Sequence, residues 1–372
     1  MRFALNTLRN TRSAFAASPP TMGRFLSSSR SVSTTKSGVP IALISKIRNL
    51  RPGTPMNIAR SALLASENDL DRALKWLVDE AAKSGAVKAE KLSGRLAQEG
   101  LVGVILENDG LASEGAKGVR GAMVEIGCET DFVARTDEFR DLVEGVARSL
   151  SFFADSAVEG GKHFKRLDLE TIKDVPMLPP LSTTSSSTYS PTDDHHKIST
   201  ISAAIAGTVA RLGENISLKR AVSIHIDDPN STYLASTYLH GVSKSPLATG
   251  TPNLFQSGTL AGVLLLKLPG GKVETEGLKT VLRSLARQVV AVPTTSVAGE
   301  SKGGETLPVL EGGEVSTALY EQPLMTMAST PELEFEAGSS VKTVLDKWSA
   351  LRGIEKGGLQ VVEVERWEVG GD

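Results

Sequence analysis

A short apolar segment that occurs twice in the chain sets the main constraint on its fold. Residues 101–107 read Leu-Val-Gly-Val-Ile-Leu-Glu, and residues 260–266 read Leu-Ala-Gly-Val-Leu-Leu-Leu. Short apolar runs of this kind predict buried strands. Each run is followed by a predicted helix with a related Ala-Arg motif, at residues 146–149 and 285–288. The sequence therefore predicts an α+β fold with two related halves, each a small antiparallel sheet with helices on one side.

We assign the first half, core subdomain N, to residues 85–212. Its strand at residues 101–107 and a second strand at residues 119–127 are separated by a loop that contains Asn-Asp-Gly, which favours an antiparallel hairpin. An apolar helical stripe begins at Phe139. Residues 156–196 are rich in Pro, Ser and Thr and lack periodicity, so they predict a disordered insertion.

We assign the second half, core subdomain C, to residues 213–372. Flexible loops are predicted at residues 242–257 and 298–313, where Gly, Ser and Pro are frequent. The C-terminal segment contains a helical pattern at residues 341–351 and an alternating strand pattern at residues 362–366. A lone strand has no partner of its own, so we expect it to pair into an existing sheet.

The first 38 residues have the composition of a mitochondrial transit peptide. No acidic residue precedes Glu67, whereas basic residues recur among Ser, Ala and Thr. N-terminal segments that are basic, hydroxylated and free of acids are typical of such presequences. We assign residues 1–38 to targeting and leave them out of the fold. The alternative is a disordered basic tail on a cytosolic protein.

Three short helical patterns follow at residues 39–84. Thr54 and Pro55 predict the N-cap and the first turn of the second helix, and Asn68 or Asp69 predicts the cap of the third. A unit of this size and pattern resembles a ubiquitin-associated (UBA-like) module. Because so small a unit has little stability of its own, we expect it to dock onto another surface.

Residues 124–139 form a junction between a strand and a helix. The strand breaks at Gly127, and Asp131 and Phe132 follow on a turn. A carboxylate beside a rigid aromatic ring suits insertion into a polar, cation-bearing site of a partner. The alternative is that Phe132 and Val133 begin the core face of the helix that follows.

Charge and motifs give no support for an enzyme. Lysine plus arginine number 41 against 43 for aspartate plus glutamate, so the net charge of -2 gives no electrostatic reason to propose a nucleic-acid partner. The sequence contains no phosphate-binding loop, Gly-x-Ser-x-Gly elbow or His-Glu-x-x-His motif. No apolar run reaches the length of a membrane span. We therefore expect no catalytic residue, no cofactor, no membrane and no nucleic acid.

The single cysteine, Cys128, excludes an intrachain disulfide and a cysteine-based zinc site. A nucleophilic cysteine needs a lowered pKa, whereas the neighbouring Glu129 is expected to raise the pKa of Cys128. A structural role is therefore favoured over a Cys128-dependent enzyme. Residues 193–196, Asp-Asp-His-His, fall in the predicted insertion, where no surrounding structure would hold metal ligands.

Several motifs in a fixed order resemble the translation elongation factor Ts family. In chain order they are Cys-Glu-Thr-Asp-Phe-Val-Ala-Arg at residues 128–135, Gly-Glu-Asn-Ile at 213–216, Lys-Arg at 219–220, His-Gly at 240–241 and Glu-Gln-Pro at 321–323. The most specific of them is Thr-Asp-Phe-Val followed by Ala-Arg. The resemblance covers most of residues 40–370 outside the insertions.

The resemblance implies a guanine-nucleotide exchange factor for mitochondrial elongation factor Tu, the GTPase that delivers aminoacyl-tRNA to the ribosome. It implies that Phe132 is wedged near the magnesium site of the GTPase, with Asp131 beside it. Thr130 and Val133 carry over as further contacts, and His240 as part of a second contact.

The resemblance also implies how the complex is arranged. The three-helix module and the C-terminal helix would embrace the nucleotide-binding domain of the GTPase in the mitochondrial matrix. No long helical hairpin is recognisable after Val292, so a one-to-one heterodimer is expected. The alternative function is a ubiquitin-associated-type binding adaptor without exchange activity.

Overall fold

The computed structural model describes residues 38–51, 54–111, 118–153, 162–180, 199–227, 232–241, 254–269, 275–299, 316–354 and 357–371. The predicted transit segment lies outside these ranges except for residue 38. Within them, no helix combines the length and the apolar character that crossing a membrane requires.

Three helices open the described chain, as the sequence predicts. They are α1 (Ile41–Leu50), α2 (Met56–Ala65) and α3 (Leu70–Leu92). Their facing sides bury a small apolar cluster that includes Ile47 and Leu63. The helical spacing of apolar residues therefore has its expected cause, a shared core between the three helices.

Caps at the starts of α2 and α3 agree with the prediction only in part. Asp69 caps α3, and its carboxylate accepts a hydrogen bond from the Arg72 N–H at 2.9 Å. Thr54 does not cap α2, because Pro55 occupies the cap position. The Thr54 hydroxyl instead donates to the Arg51 carbonyl at 2.9 Å.

Helix α3 continues past residue 84, where the sequence predicts the end of the three-helix module, and reaches Leu92. Its second half packs against α7 (Ile201–Leu212). Gly85 allows this contact, because a Cβ there would lie 2.9 Å from the carbonyl carbon of Ala206. The end of α3 is therefore part of the core and not a linker.

Among the described residues, five antiparallel strands form a first sheet, in the order β3, β4, β2, β1, β6. These strands are β1 (Glu99–Asp109), β2 (Gly118–Cys128), β3 (Phe164–Arg166), β4 (Ser217–Asp227) and β6 (Phe255–Gly258). The predicted hairpin of β1 and β2 is confirmed, with Gly103 opposite Val124.

A second sheet contains three strands of the described chain, in the order β5, β7, β8. They are β5 (Tyr233–His240), β7 (Leu260–Lys267) and β8 (Gln360–Glu368). Strand β8 pairs antiparallel with β7. The prediction that the C-terminal strand joins an existing sheet is therefore confirmed.

A long helix covers one face of each sheet. These helices are α5 (Asp137–Phe153) on the first sheet and α8 (Thr275–Ala291) on the second. Both contacts use the glycine of the repeated motif. A Cβ at Gly103 would overlap Val143 of α5, and a Cβ at Gly262 would lie 2.9 Å from Val289 of α8. The repeat in the sequence is therefore a repeat of close strand–helix approach.

The other faces of the two sheets pack against each other. The apolar residues buried together between them include Val104 and Met123 from the first sheet and Val263, Leu265 and Trp367 from the second. Alternate residues of each central strand point to a helix or to the other sheet. Both faces of each sheet are therefore buried, which explains why the strands read as continuous apolar runs and not as alternating ones.

A buried ion pair ties the first sheet to the end of β8. Glu125 of β2 and Arg220 of β4 lie 2.6 Å apart, and Glu125 is almost fully buried. The Arg220 guanidinium also lies 4.7 Å from the ring centre of Trp367 and donates to the Glu368 carbonyl at 2.9 Å. The second carboxylate oxygen of Glu125 accepts from the Gly370 N–H at 3.0 Å.

The sequence did not predict which strands join which sheet. Strands β4 and β6 fall within residues 213–372, yet β4 pairs with β2 and β6 pairs with β1. The hairpin of β1 and β2 has two open edges, and these later strands satisfy the hydrogen-bonding groups along both. The sheets therefore do not coincide with the assigned subdomains, 85–212 and 213–372.

Two segments predicted to lack structure are ordered in part. Residues 162–180, inside the predicted insertion at 156–196, contain β3 and the short helix α6 (Leu169–Ile172). The predicted loop at 242–257 contributes most of β6. Both strands are too short to show a periodic pattern, and each is fixed by pairing with a longer strand. Residues 156–161 and 181–196 of the predicted insertion lie outside the described residues. So do residues 242–253 of the first predicted loop and residues 300–313 of the predicted loop at 298–313.

Replacing Gly103 by alanine is expected to lower the thermal unfolding midpoint, with a loss of about 1–3 kcal/mol in the free energy of unfolding. The added methyl group would overlap Val143 and lie 2.9 Å from the ring of Phe255. Gly94→Ala is the matched control, because a Cβ there meets no atom within 4 Å. Equal midpoints for the two variants, measured by circular dichroism, would contradict the close contact.

Candidate functional site

The residues singled out at the strand–helix junction lie on a single turn of helix at the end of the first sheet. Strand β2 ends at Cys128, and α4 (Asp131–Ala134) begins after two further residues. Thr130 has an extended backbone and is the N-cap, since its hydroxyl accepts from the Val133 N–H at 3.4 Å. The hydroxyl at this position is therefore what starts the turn.

The two apolar residues of the turn have different surroundings. Val133 is only 8% exposed and packs in the same core cluster as Phe139, whereas Phe132 is 79% exposed. Successive residues of a helix point about 100° apart, so one side chain reaches the core and the other reaches solvent. The core-filling alternative therefore holds for Val133 and is wrong for Phe132.

Asp131 is engaged within the turn. Its carboxylate lies 3.0 Å from the guanidinium of Arg135, one helical turn later, and both side chains are substantially exposed. A surface pair of this kind contributes little to stability. It does place a charged pair on the same short helix as the exposed Phe132 ring.

A carboxylate from a distant part of the chain holds the cap. Glu214 accepts two hydrogen bonds from Thr130, one from its backbone N–H at 3.1 Å and one from its hydroxyl at 2.6 Å. Glu214 follows Gly213, which ends α7 with φ +77°. This left-handed conformation suits glycine, and it turns the chain toward the Phe132 turn.

A second set of contacts mirrors the first. The backbone N–H of Asn215 donates to the Glu129 carboxylate at 2.7 Å, and the Asn215 side chain donates to the Arg95 carbonyl at 2.7 Å. Arg95 also pairs with Glu129 at 3.5 Å. Each of the two segments, 129–130 and 214–215, thus supplies a carboxylate that accepts a backbone N–H of the other. We call these reciprocal contacts the clasp.

Sequence reasoning did not assign a role to the clasp. In the sequence, Glu214 and Asn215 stand out only as part of the Gly-Glu-Asn-Ile motif, and Glu129 only as part of the motif at residues 128–135 and as a neighbour of Cys128. The available signal was that both acidic residues stand next to a break in regular structure, where carboxylates commonly accept backbone N–H groups. Because segments 129–130 and 214–215 are far apart in the sequence, the sequence does not show that they bond each other.

Cys128 is buried, and its thiol donates to the Thr130 carbonyl at 3.2 Å. Burial raises the pKa of Cys128 to about 12, and the Glu214 carboxylate adds to the increase. Among the acidic groups, Glu214 raises this pKa most and Glu99 less, whereas the sequence pointed to Glu129. With this pKa the thiol stays protonated at neutral pH and is a poor nucleophile.

His240 is exposed at the end of β5. Its carbonyl lies against Gly258, which pairs with Val102 of β1. Strand β1 begins three residues before Val102, at Glu99, and Glu99 pairs with Cys128 at the end of β2. Three strand residues span roughly 10 Å, so His240 and the Phe132 turn lie toward the same end of the first sheet.

The acidic and histidine residues at 193–196 lie outside the described residues. In the described parts of the chain, no group of three or more His, Cys, Asp or Glu side chains is arranged to hold a metal ion. The chemistry that the site does offer is an exposed aromatic ring, next to the Asp131–Arg135 ion pair, on a turn held by the clasp.

The chain is similar in sequence to proteins of known name over most of its length. The sequence model of the family described as Elongation factor TS matches residues 129–301. Mitochondrial elongation factor Ts of Coprinopsis cinerea is 34% identical over 339 residues, which cover 87% of this chain and 90% of the relative. The proteins of the same name from Mycosarcoma maydis and Malassezia globosa are 32% and 30% identical, and the alignments cover 84% and 92% of those relatives.

The region that matches the family includes the residues of the candidate site. It contains Phe132, both carboxylates of the clasp and His240. The alignments with the relatives from Coprinopsis cinerea and Malassezia globosa cover 87% and 94% of this chain, so the similarity is not confined to a single motif. By sequence and by the order of its motifs, the chain belongs to the elongation factor Ts family.

Proposed function

We propose that the chain is a guanine-nucleotide exchange factor for mitochondrial elongation factor Tu. The observation that carries the proposal is Phe132, a large aromatic side chain that is 79% exposed on a turn held by the clasp. A side chain presented by a fixed backbone loses little conformational entropy when a partner binds it. Phe132 is therefore suited to enter a site on another protein.

Exchange of this kind needs no covalent step. A GTPase holds GDP through backbone amides around the phosphates and through a bound Mg²⁺ ion. A protein that binds the nucleotide-free GTPase more tightly than the GDP-bound form must weaken GDP binding by the same factor. In this proposal, Phe132 supplies that preference by entering the GTPase near its magnesium site.

The contacts of the turn suggest different roles for its residues. Phe132 and Asp131 are the residues we expect to touch the GTPase, because both are accessible. Thr130 and Val133 face inward, one bonded to Glu214 and the other packed in the core, so we assign them to holding the turn. His240, exposed toward the same end of the sheet, is proposed as part of a second contact.

The remaining parts of the proposal concern the complex and its location. We propose that the three helices α1 to α3 and the C-terminal helix α9 (Val341–Leu351) hold the nucleotide-binding domain of the GTPase in a one-to-one heterodimer. The acid-free composition of residues 1–38 and the mitochondrial names of the relatives support a site of action in the mitochondrial matrix.

Replacing Phe132 by alanine is expected to slow factor-stimulated GDP release by about 30-fold, the effect of losing a central aromatic anchor of an interface. Stopped-flow release of fluorescent GDP from mitochondrial elongation factor Tu measures the rate. Because Phe132 is exposed, the unfolding midpoint should hardly change.

Phe152→Ala is the matched control for this experiment, since Phe152 is also an exposed phenylalanine, 56% accessible, and lies at the far end of α5. It should exchange GDP at the wild-type rate. A folded Phe132→Ala variant that is as fast as Phe152→Ala would show that Phe132 is not the wedge.

Cys128 is expected to be chemically inert in the folded protein. At pH 8 its pKa of about 12 leaves a thiolate fraction on the order of 10³-fold smaller than that of an ordinary cysteine. Labelling by an aromatic disulfide should therefore be very slow, should accelerate as the pH rises toward 12, and should become fast in urea. Cys128→Ser should retain exchange activity within about twofold, because its hydroxyl can make the same hydrogen bond. Rapid labelling, or loss of activity in the serine variant, would favour a cysteine-dependent function.

A further inference from the structure

The helix that presents Phe132 cannot hold itself in place. α4 has four residues. An isolated helix of that length is unstable, because the conformational entropy lost in forming the first turn exceeds the stabilisation from its few hydrogen bonds. Its conformation must therefore come from contacts made outside the turn. Those to its cap come from Glu214, which lies 84 positions later in the chain.

The chemistry of the Thr130 hydroxyl gives Glu214 a specific effect on the turn. A hydroxyl has one donor proton and two acceptor lone pairs. The proton is directed to the Glu214 carboxylate, at 2.6 Å, so the lone pairs are left for the Val133 N–H that starts the helix. Glu214 thus orients the capping group and also accepts the Thr130 N–H.

Glu214 is itself fixed on both sides. Gly213 ends α7 in a left-handed conformation, and the Asn215 N–H is bonded to Glu129 at 2.7 Å. Asn215 is also buried. Hydrogen bonds to an ionised carboxylate are roughly twice as strong as those between neutral groups. The clasp therefore transfers the rigidity of the sheet and α7 to the Phe132 turn.

We propose that Glu214 is a positioning residue for nucleotide exchange. It holds the Thr130 cap so that Phe132 is already oriented when the GTPase arrives, and it acts only through that turn. This inference rests on the exchange function proposed above, and it adds to it the group that makes the turn rigid.

The test is a double-mutant cycle of Glu214→Ala and Phe132→Ala, read out as the maximal rate of GDP release from mitochondrial elongation factor Tu. Glu214→Ala should slow release about 5- to 10-fold when Phe132 is present, the effect expected for losing a helix cap. It should change the rate less than about twofold when Phe132 is already alanine, since the two residues act in series. Equal factors in both backgrounds would overturn the proposal.

Two further variants separate positioning from general stability. Glu214→Gln keeps one acceptor oxygen for the Thr130 hydroxyl but sets an NH2 group against the Thr130 N–H, so it should recover only part of the rate lost in Glu214→Ala. Asp168→Ala is the matched control, because Asp168 caps another four-residue helix, α6, by accepting from the N–H groups of Glu170 and Thr171. It should leave the rate of GDP release unchanged. A loss in Asp168→Ala equal to that in Glu214→Ala would assign the effect to stability alone and overturn the proposal.

Hydrogen exchange of the backbone amides, measured on the full chain without the GTPase, tests the clasp independently. Glu214→Ala should speed exchange at residues 130–135 at least about 10-fold and leave the central strands β1 and β2 unchanged. Unchanged exchange at residues 130–135 would overturn the positioning role. A wild-type chain that fails to accelerate GDP release would instead overturn the exchange function, while faster amide exchange in Glu214→Ala would still support Glu214 as the residue that fixes the turn.

Discussion

The rest of the structure depends on the burial of both faces of each sheet. The sheets share an apolar layer that includes Val104 and Leu265, and their outer faces are covered by α5 and α8. Glycine at positions 103 and 262 lets each helix lie close to its central strand. Since the faces are occupied, groups that meet a partner must lie where the chain leaves the sheets. The Phe132 turn is at such a point, beside a rigid scaffold, as binding residues often are.

One of the two clasp carboxylates, Glu214, contributes both to the rigidity of the site and to its chemical inertness. Glu129 and Glu214 accept backbone N–H groups across the clasp, which fixes two segments that are distant in sequence. Glu214 also lies close enough to Cys128 to raise the pKa of its thiol beyond what burial does alone. The residue that holds the turn of the exposed Phe132 ring therefore also lowers the reactivity of Cys128.

Features fixed by local chemistry were predictable from the sequence, and features fixed by distant pairing were not. Apolar runs located the long strands, and Asp69 marked the start of α3. The positions of β4 and β6 in the first sheet depend on open edges far away in the chain, which no local pattern encodes. At the site, the family resemblance drew attention to Phe132, but the direction of its side chain depends on where the cap begins the helix. The partner of that cap, Glu214, required the fold.

The hydrogen bond from the Gly370 N–H, just after β8, to Glu125 has a consequence for how the chain folds during its synthesis. The second sheet needs β8, and the first sheet needs β6 and the N–H of Gly370, all of which come late in the chain. Chains emerge from the ribosome N-terminus first, and a chain threaded through a membrane pore in the same direction would do so too. Until those segments are made, the hairpin of β1 and β2 has unpaired edges and an uncovered apolar face. Unpaired strand edges and exposed apolar surface favour aggregation, so this part of the chain is most exposed to it before the last strand is made.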